Sequence, residues 1–223
     1  MEEKILTRKE VRGLGLDKVS VITADMLEGY TSIESRAFFG CSKLTSITIS
    51  NSIKGIKCRA FESCSSLTSV TISNSVTSVG DYAFQYCNSL TSITIPNSIK
   101  SIGKMAFFGC TDLTSVTIGD KTYEKQTITK HKCKAYKGFN ANMTCRDFQY
   151  KEGETYKFEG KPELCDYGFH ACLNLTDVFN YYCGKLEKDI LVYEVELEGV
   201  SDEHVVYDSK IVAKKITVRE RIL

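Results

Sequence analysis

LTSITI at 44–49, LTSVTI at 67–72, LTSITI at 90–95 and LTSVTI at 113–118 are one hexapeptide written four times at a 23-residue step. The agreement extends outward from each copy. An Ala-Phe pair precedes it at Ala37-Phe38, Ala60-Phe61, Ala83-Phe84 and Ala106-Phe107. Cys41, Cys64, Cys87 and Cys110 keep the same step, as do Ile33, Ile56, Val79 and Ile102. Asn-Ser follows the first three copies at 51–52, 74–75 and 97–98. Self-similarity at a fixed period of this length is the signature of a stacked repeat.

Each hexapeptide is short and β-branched, so it reads as one strand. Its Leu and the two following Ile or Val alternate with Thr and Ser, which leaves one apolar side. A lone strand has nothing to bury that side against. Parallel stacking at about 4.8 Å per rung gives the copies a shared core. The Ala-Phe-x-x-Cys stretch sets Phe and Cys about one helical turn apart, which predicts a short helix or helical turn behind the sheet. Asn-Ser supplies the chemistry of a turn.

The outward strand positions are hydroxyl-bearing: Thr45, Ser46, Thr48; Thr68, Ser69, Thr71; Thr91, Ser92, Thr94; Thr114, Ser115, Thr117. Such a face suits exposed strands, and it is also a candidate partner surface without aromatic or Arg anchors of its own. Tyr82, Gln85, Tyr86, Lys104 and Phe108 in the connecting segments offer stronger contacts. The periodic cysteines form a column in the core, where they act as small hydrophobes.

The step, the AFxxCxxLTSxTI core and the following NSI resemble the leucine-rich repeats of the BspA-like type over about 33–119. The resemblance implies a right-handed α/β solenoid with strands on one face, used for binding proteins or host surfaces. Terminal rungs of a solenoid must be atypical to keep the core out of water. Residues 19–33 read as a degenerate rung, and Thr7 with Glu10 reads as the capping box of a short helix. The domain reading is therefore 1–32 as N-terminal cap and degenerate repeat, 33–120 as leucine-rich repeats, and 121–223 as a small α+β domain.

The bulk numbers fit this division. The chain has 223 residues and a net charge of +1, so no whole-chain field points to nucleic acid or an anionic membrane. No apolar run approaches the roughly 18 residues of a membrane span. The opening Met1-Glu2-Glu3-Lys4 has no apolar h-region, which leads to the expectation of a cytoplasmic location. The ten cysteines then read mainly as free thiols in a reducing compartment.

Beyond residue 121 the period ends and aromatics become dense. Strands are expected at 134–139, 153–158, 190–197 and 211–218, with a helix at 175–182 behind Asn174 as N-cap. The strings KAYKGF (134–139), CRDFQY (145–150), CDYGFHAC (165–172) and DSKIVAKKITV (208–218) resemble an uncharacterised domain that recurs in phage and prophage proteins. That resemblance implies a phage or mobile-element origin and action inside a bacterial host cell.

Three chemistries come into question for this half. Cys145, Cys165, His170, Cys172 and Cys183 are metal-ligand types, but no Cys-x2-Cys knuckle orders them, so no metal is expected. A cysteine nucleophile needs a base in reach, which spacing does not supply. Tyr136-Lys137-Gly138 looks like the opening strand of the ADP-ribosyltransferase superfamily, followed by His170, Tyr182 and a strand with Glu194 and Glu196. That resemblance implies NAD as cofactor and those five residues as catalytic candidates. It departs from the pattern at Lys137, where the superfamily has Arg or His, and in lacking a Ser-Thr-Ser segment. Lys210, Lys214, Lys215, Arg219 and Arg221 are basic but interleaved with acids, which argues against nucleic acid. With no complete catalytic constellation, the favoured reading is a cofactor-free protein-binding module. The alternative is a transferase whose repeats recruit its target.

Overall fold

The computed structural model describes residues 4–126, 132–145, 148–159, 169–181, 184–185, 190–201 and 210–222. The chain divides into two compact units, residues 1–123 and 124–223.

In the first unit the hexapeptides form the strands Ser46–Thr48, Ser69–Thr71, Ser92–Ile95 and Ser115–Ile118. They pair in parallel and in exact repeat register: Ile47 beside Val70, Val70 beside Ile93, Ile93 beside Val116. Val21–Ile22 adds a further strand, with Ile22 beside Ile47, so the degenerate segment is a rung in its backbone.

A second column of parallel strands corrects the expectation of strands on one face. Ile5–Leu6, Ser32–Ile33, Gly55–Ile56, Ser78–Val79 and Ser101–Ile102 lie side by side. Two-residue strands are too short to show alternation in a sequence. Their inner residues, Ile33, Ile56, Val79 and Ile102, are the apolar positions that kept the repeat step, and all are buried.

The Ala-Phe-x-x-Cys stretch is not a helix. A helix would turn every N–H back on its own carbonyls. Here alternate groups are shared between rungs. The N–H groups of Arg36, Phe38 and Gly40 donate to the carbonyls of Cys58, Ala60 and Glu62 on the next rung, at 3.2, 2.8 and 2.9 Å. Those of Ala37, Phe39 and Cys41 donate three residues back within the rung. The pattern recurs from Arg59, Phe61 and Ser63 to Asp81, Ala83 and Gln85, and from Tyr82, Phe84 and Tyr86 to Lys104, Ala106 and Phe108. Left-handed residues at 36, 59, 82 and 105, and again at 40, 63, 86 and 109, swing the chain into this arrangement. Sequence spacing of three or four cannot distinguish a helical turn from such a turn stack.

The core is a set of columns. Phe38, Phe61, Phe84 and Phe107 stack nearly parallel, with centroids 5.0, 5.2 and 5.5 Å apart. Leu44, Leu67, Leu90 and Leu113 are all buried beside them. The cysteine column is buried and carries free thiols. Three of the four thiols also donate to a carbonyl on the preceding rung: Cys64 to Phe38, Cys87 to Phe61 and Cys110 to Phe84, at 3.1–3.2 Å. Burial pushes the Cys64 thiol up to about 12.

At the N-terminal end, helix Arg8–Gly13 begins with the expected capping box, in which Thr7 and Glu10 bond each other's backbone N–H. Arg8 then donates to the carbonyls of Phe39 and Arg36, at 2.8 and 3.0 Å. Phe39 occupies the repeat position of Glu62 and Gln85, whose carbonyls accept from the rung before. A side-chain guanidinium therefore substitutes for an absent rung.

In the second unit, Lys132–Asn140, Ile190–Val200, Lys210–Arg221 and Phe169–Cys172 pair antiparallel in a closed ring, with Thr155–Lys157 alongside Lys210–Arg221. The alternation of ILVYEVEL decides the faces. Leu191, Tyr193, Val195 and Leu197 join Ala135, Phe139, Tyr150, Ile211, Ile216 and Val218 in one core. The other face carries Tyr136, Cys172, Val192 and Val212, all buried, and helix Leu175–Tyr181 packs on the strands that hold Tyr136 and Cys172. Asn174 accepts from the Thr176 N–H at 3.2 Å, as an N-cap should. Among the described residues no helix is long and apolar enough to cross a membrane.

Candidate functional site

The hydroxyl face of the solenoid has two layers of behaviour. Thr45 and Thr68 donate their hydroxyls to the carbonyls of Ser20 and Thr45 on the preceding rung, at 2.9 and 3.0 Å, and Thr114 to that of Thr91 at 3.3 Å. Their column is spent on holding rungs together. Thr91 is exposed in the same column. Ser46, Ser69, Ser92 and Ser115 lie in register with each other, as do Thr48, Thr71, Thr94 and Thr117. These two columns flank the buried Ile or Val and look outward, with Ser69, Thr71, Ser92 and Thr94 exposed. Thr117 shares a 2.9 Å hydrogen bond with Thr122.

The turn ridge carries the large side chains. Tyr86 is 41% exposed. Its ring lies over Gly109 of the next rung and meets Phe108 edge-on at 5.8 Å. Tyr82 is half-buried beneath the Arg59 guanidinium, 4.9 Å from ring centroid to Cζ. Phe39 lies under Arg8 in the same way at 5.5 Å. Glu62 is buried within the ridge and stands 3.6 Å from Arg59. Tyr86 (φ 57°) and Tyr82 (φ 57°) both adopt the left-handed conformation that glycine takes at Gly40 and Gly109. A side chain there costs roughly 1–2 kcal/mol.

Of the catalytic candidates of the second unit, Tyr136, Glu194 and Glu196 have partners within their own unit. Tyr136 is 1% exposed; its hydroxyl donates to the Glu124 carbonyl at 2.8 Å and accepts from Gln126 at 2.9 Å. Glu194 sits directly across from Tyr136 in the ladder, and its carboxylate is paired with Lys134 at 2.8 Å. Glu196 is paired with Arg219, and Glu198 lies between Lys215 at 2.7 Å and Lys132 at 3.2 Å. This is a cross-strand charge ladder. His170 is half-buried on strand Phe169–Cys172, on the same face as Cys172. Tyr182 lies outside the described residues, as do Cys165 and Cys183. Among the described residues, the Glu194 and Glu196 carboxylates are paired with cations and the Tyr136 ring is buried, which lends the transferase reading no support.

A family model described as a BspA type leucine rich repeat region, in 6 copies, matches residues 17–137. The chain belongs to the BspA-type leucine-rich repeat proteins. A second model, a domain of unknown function (DUF7666), matches residues 133–223. Among solved structures, this BspA-type chain is similar to a leucine-rich repeat protein of T. pallidum at 23% identity, covering 45% of this chain and 52% of that one, with a TM-score of 0.42. It is similar to one from Bacteroides capillosus at 27% identity, covering 40% and 63%, with a TM-score of 0.35. A third, from Bacteroides ovatus, is 29% identical over 45% and 33%, also at 0.35. The chain thus spans about half of the first of these proteins. A comparison with curated proteins finds no match.

Two features of this BspA-type solenoid escaped the sequence reading. Arg8 as the ladder cap left no signal beyond a basic residue in a first helical turn. The left-handed turn positions were hinted at only by Gly40 and Gly109, which share a repeat position with Ser63 and Tyr86.

Proposed function

We propose that the chain is a protein-interaction module whose solenoid docks a folded protein partner through the turn ridge and the adjoining outward Ser and Thr columns. The observation that carries this reading is the placing of Tyr82 and Tyr86 on left-handed backbone. Glycine would meet the backbone demand at lower cost there, so the aromatics are retained for what they present. Tyr is a side chain that anchors interfaces, and the hydroxyl columns beside it supply an uncharged, easily desolvated surface.

The module acts in the cytoplasm of a bacterial host, without a cofactor, on a host protein. The support for that setting is the likeness of 134–139, 145–150, 165–172 and 208–218 to a domain recurring in phage and prophage proteins. The test is affinity capture from bacterial lysate with the full chain, compared with a Tyr82→Gly/Tyr86→Gly chain and a Thr71→Glu/Thr94→Glu chain. Loss of a specific captured protein in both variants, with folding retained, supports the reading. Equal capture by all three chains removes the solenoid surface from the function.

A further inference from the structure

Lys137 is the anomaly of the second unit. It sits on the core side of strand Lys132–Asn140, between Ala135 and Phe139 in the alternation, and is 4% exposed. A buried ammonium or amine is costly unless its surroundings are built for it. Its Nζ donates to the His170 carbonyl at 2.7 Å and lies 3.5 Å from the Cys145 sulfur. The rings of Phe139 and Tyr150 flank it at 5.6 and 5.5 Å. Cys145 belongs to a two-stranded hairpin, Thr144–Cys145 with Phe148–Gln149, and is only half-buried.

We propose that Lys137 and Cys145 are the two halves of a redox-switchable covalent bridge, formed when a peroxide oxidises Cys145. The Cys145 thiolate attacks one peroxide oxygen. A sulfur–oxygen bond forms, the oxygen–oxygen bond breaks, and water leaves once the proton is returned, giving a sulfenic acid. The neutral Lys137 amine then attacks that sulfur. A nitrogen–sulfur bond forms, the sulfur–oxygen bond breaks, and the departing hydroxide takes a proton from nitrogen and leaves as a second water. One thiol, one amine and one hydrogen peroxide become one sulfenamide and two waters. Sulfenic acids condense with nearby nitrogen nucleophiles in this way. A thiol reductant reverses the step, restoring amine and thiol.

Among the described cysteines, the arrangement favours Cys145. The repeat cysteines are shut in the solenoid core, with Cys87 fully buried and its thiol pushed far up by that burial. Burial pushes Cys133 up to about 11. Cys145 combines access from solvent with an amine held in place by a carbonyl and shielded by two rings. Bridging would pin this segment, already joined to Asn140 at the strand end by Thr144 at 3.2 Å and by the Met143 N–H at 2.8 Å, against the sheet.

The test treats the full chain with hydrogen peroxide, quenches it, and digests it without reduction for mass spectrometry. The expected product is a single peptide spanning 135–146, short of two hydrogens, in which the Lys137–Cys145 bond closes a loop and tryptic cleavage after Lys137 is blocked. A thiol reductant added before digestion should restore cleavage after Lys137, giving 135–137 and 138–146. Cys145→Ser should abolish the product, and Lys137→Arg should divert Cys145 to the sulfinic acid. Oxidation of Cys145 to sulfinic acid or to a disulfide in the wild-type chain, with no Lys137-linked peptide, overturns the proposal. So does an unmodified Cys145. The wild-type measurement decides the matter even if a Lys137 variant fails to fold.

Discussion

The Phe61 and Phe84 rings lie 5.2 Å apart with planes 2° from parallel, one repeat step from each other. Each is fully buried. This column runs beside the buried Leu and Cys columns, and its members are the largest fully buried side chains of the solenoid, so truncating one should be among the costliest changes there. Phe84→Ala should cost about 3–5 kcal/mol, as for a large buried aromatic. Thr94→Ala, on the exposed face, should cost under about 0.5 kcal/mol. Urea denaturation followed by circular dichroism measures both, and equal costs would mean that the faces are reversed.

Gly109 has φ +76° and no room for a Cβ, because the Tyr86 ring lies against it. Gly109→Ala should therefore lower the unfolding midpoint, combining backbone strain with displacement of Tyr86. Tyr86→Gly should relieve strain at its own position, so the double variant should be more stable than Gly109→Ala alone. Strictly additive effects in thermal denaturation would deny the contact.

Tyr136→Phe should leave the ring in place and remove a hydroxyl that bonds Glu124 and Gln126. The cost should be about 0.5–1.5 kcal/mol, the net worth of an ordinary hydrogen bond, since exposed Glu124 and half-buried Gln126 can turn to water instead. Amide hydrogen exchange should rise at Gln126, whose N–H bonds the Leu173 carbonyl at 2.8 Å. A change in stability with no change at that amide would place the hydroxyl's role elsewhere.

Hydrogen bonds from Lys215 and then Lys132 hold Glu198 below its ordinary value of 4.5. The Thr7 backbone N–H does the same for Glu10. A carboxylate whose folded-state value is depressed contributes stability above its unfolded value and loses it as pH falls through the folded one. Stability should thus be steady above about pH 5 and decline on acidification through the carboxylate range. Glu198→Gln should flatten that decline. An unchanged slope in the variant would show the ladder to be energetically silent.

Native-state alkylation at about pH 8, near the ordinary thiol range, should spare Cys64, Cys87 and Cys110 and label Cys58 and Cys145 ahead of them. Cys64 and Cys87 are fully buried and Cys58 and Cys145 are half-buried. Peptide mapping reads the order directly. Early labelling of Cys87 would mean that the solenoid core opens on the timescale of the reaction.

Several of these relationships were readable in advance. The hydroxyl and apolar alternation of LTSITI fixed which side of each strand faced the core, because side chains alternate with a period of two residues. Thr7 and Glu10 announced their capping box by spacing alone. In contrast, the Ala-Phe-x-x-Cys turn was misread as helical, because apolar residues three apart fit both a helix and a stacked turn. Glu194 and Tyr136 were singled out as catalytic candidates by residue type and a resemblance, without any knowledge of their neighbours. Their register across two strands, and the lysine that claims the carboxylate, depend on residues 60 positions apart.

By itself the sequence determined the rung: its length, its inward residues and the need to stack, since a repeated local pattern carries its own local energetics. Tertiary structure alone decided where unlike segments meet. It brought Arg8 to the Phe39 carbonyl, the Lys137 amine to the Cys145 sulfur, and the glutamates of 190–200 to their cations. Such pairings follow from chain closure in three dimensions, and no one-dimensional spacing encodes them.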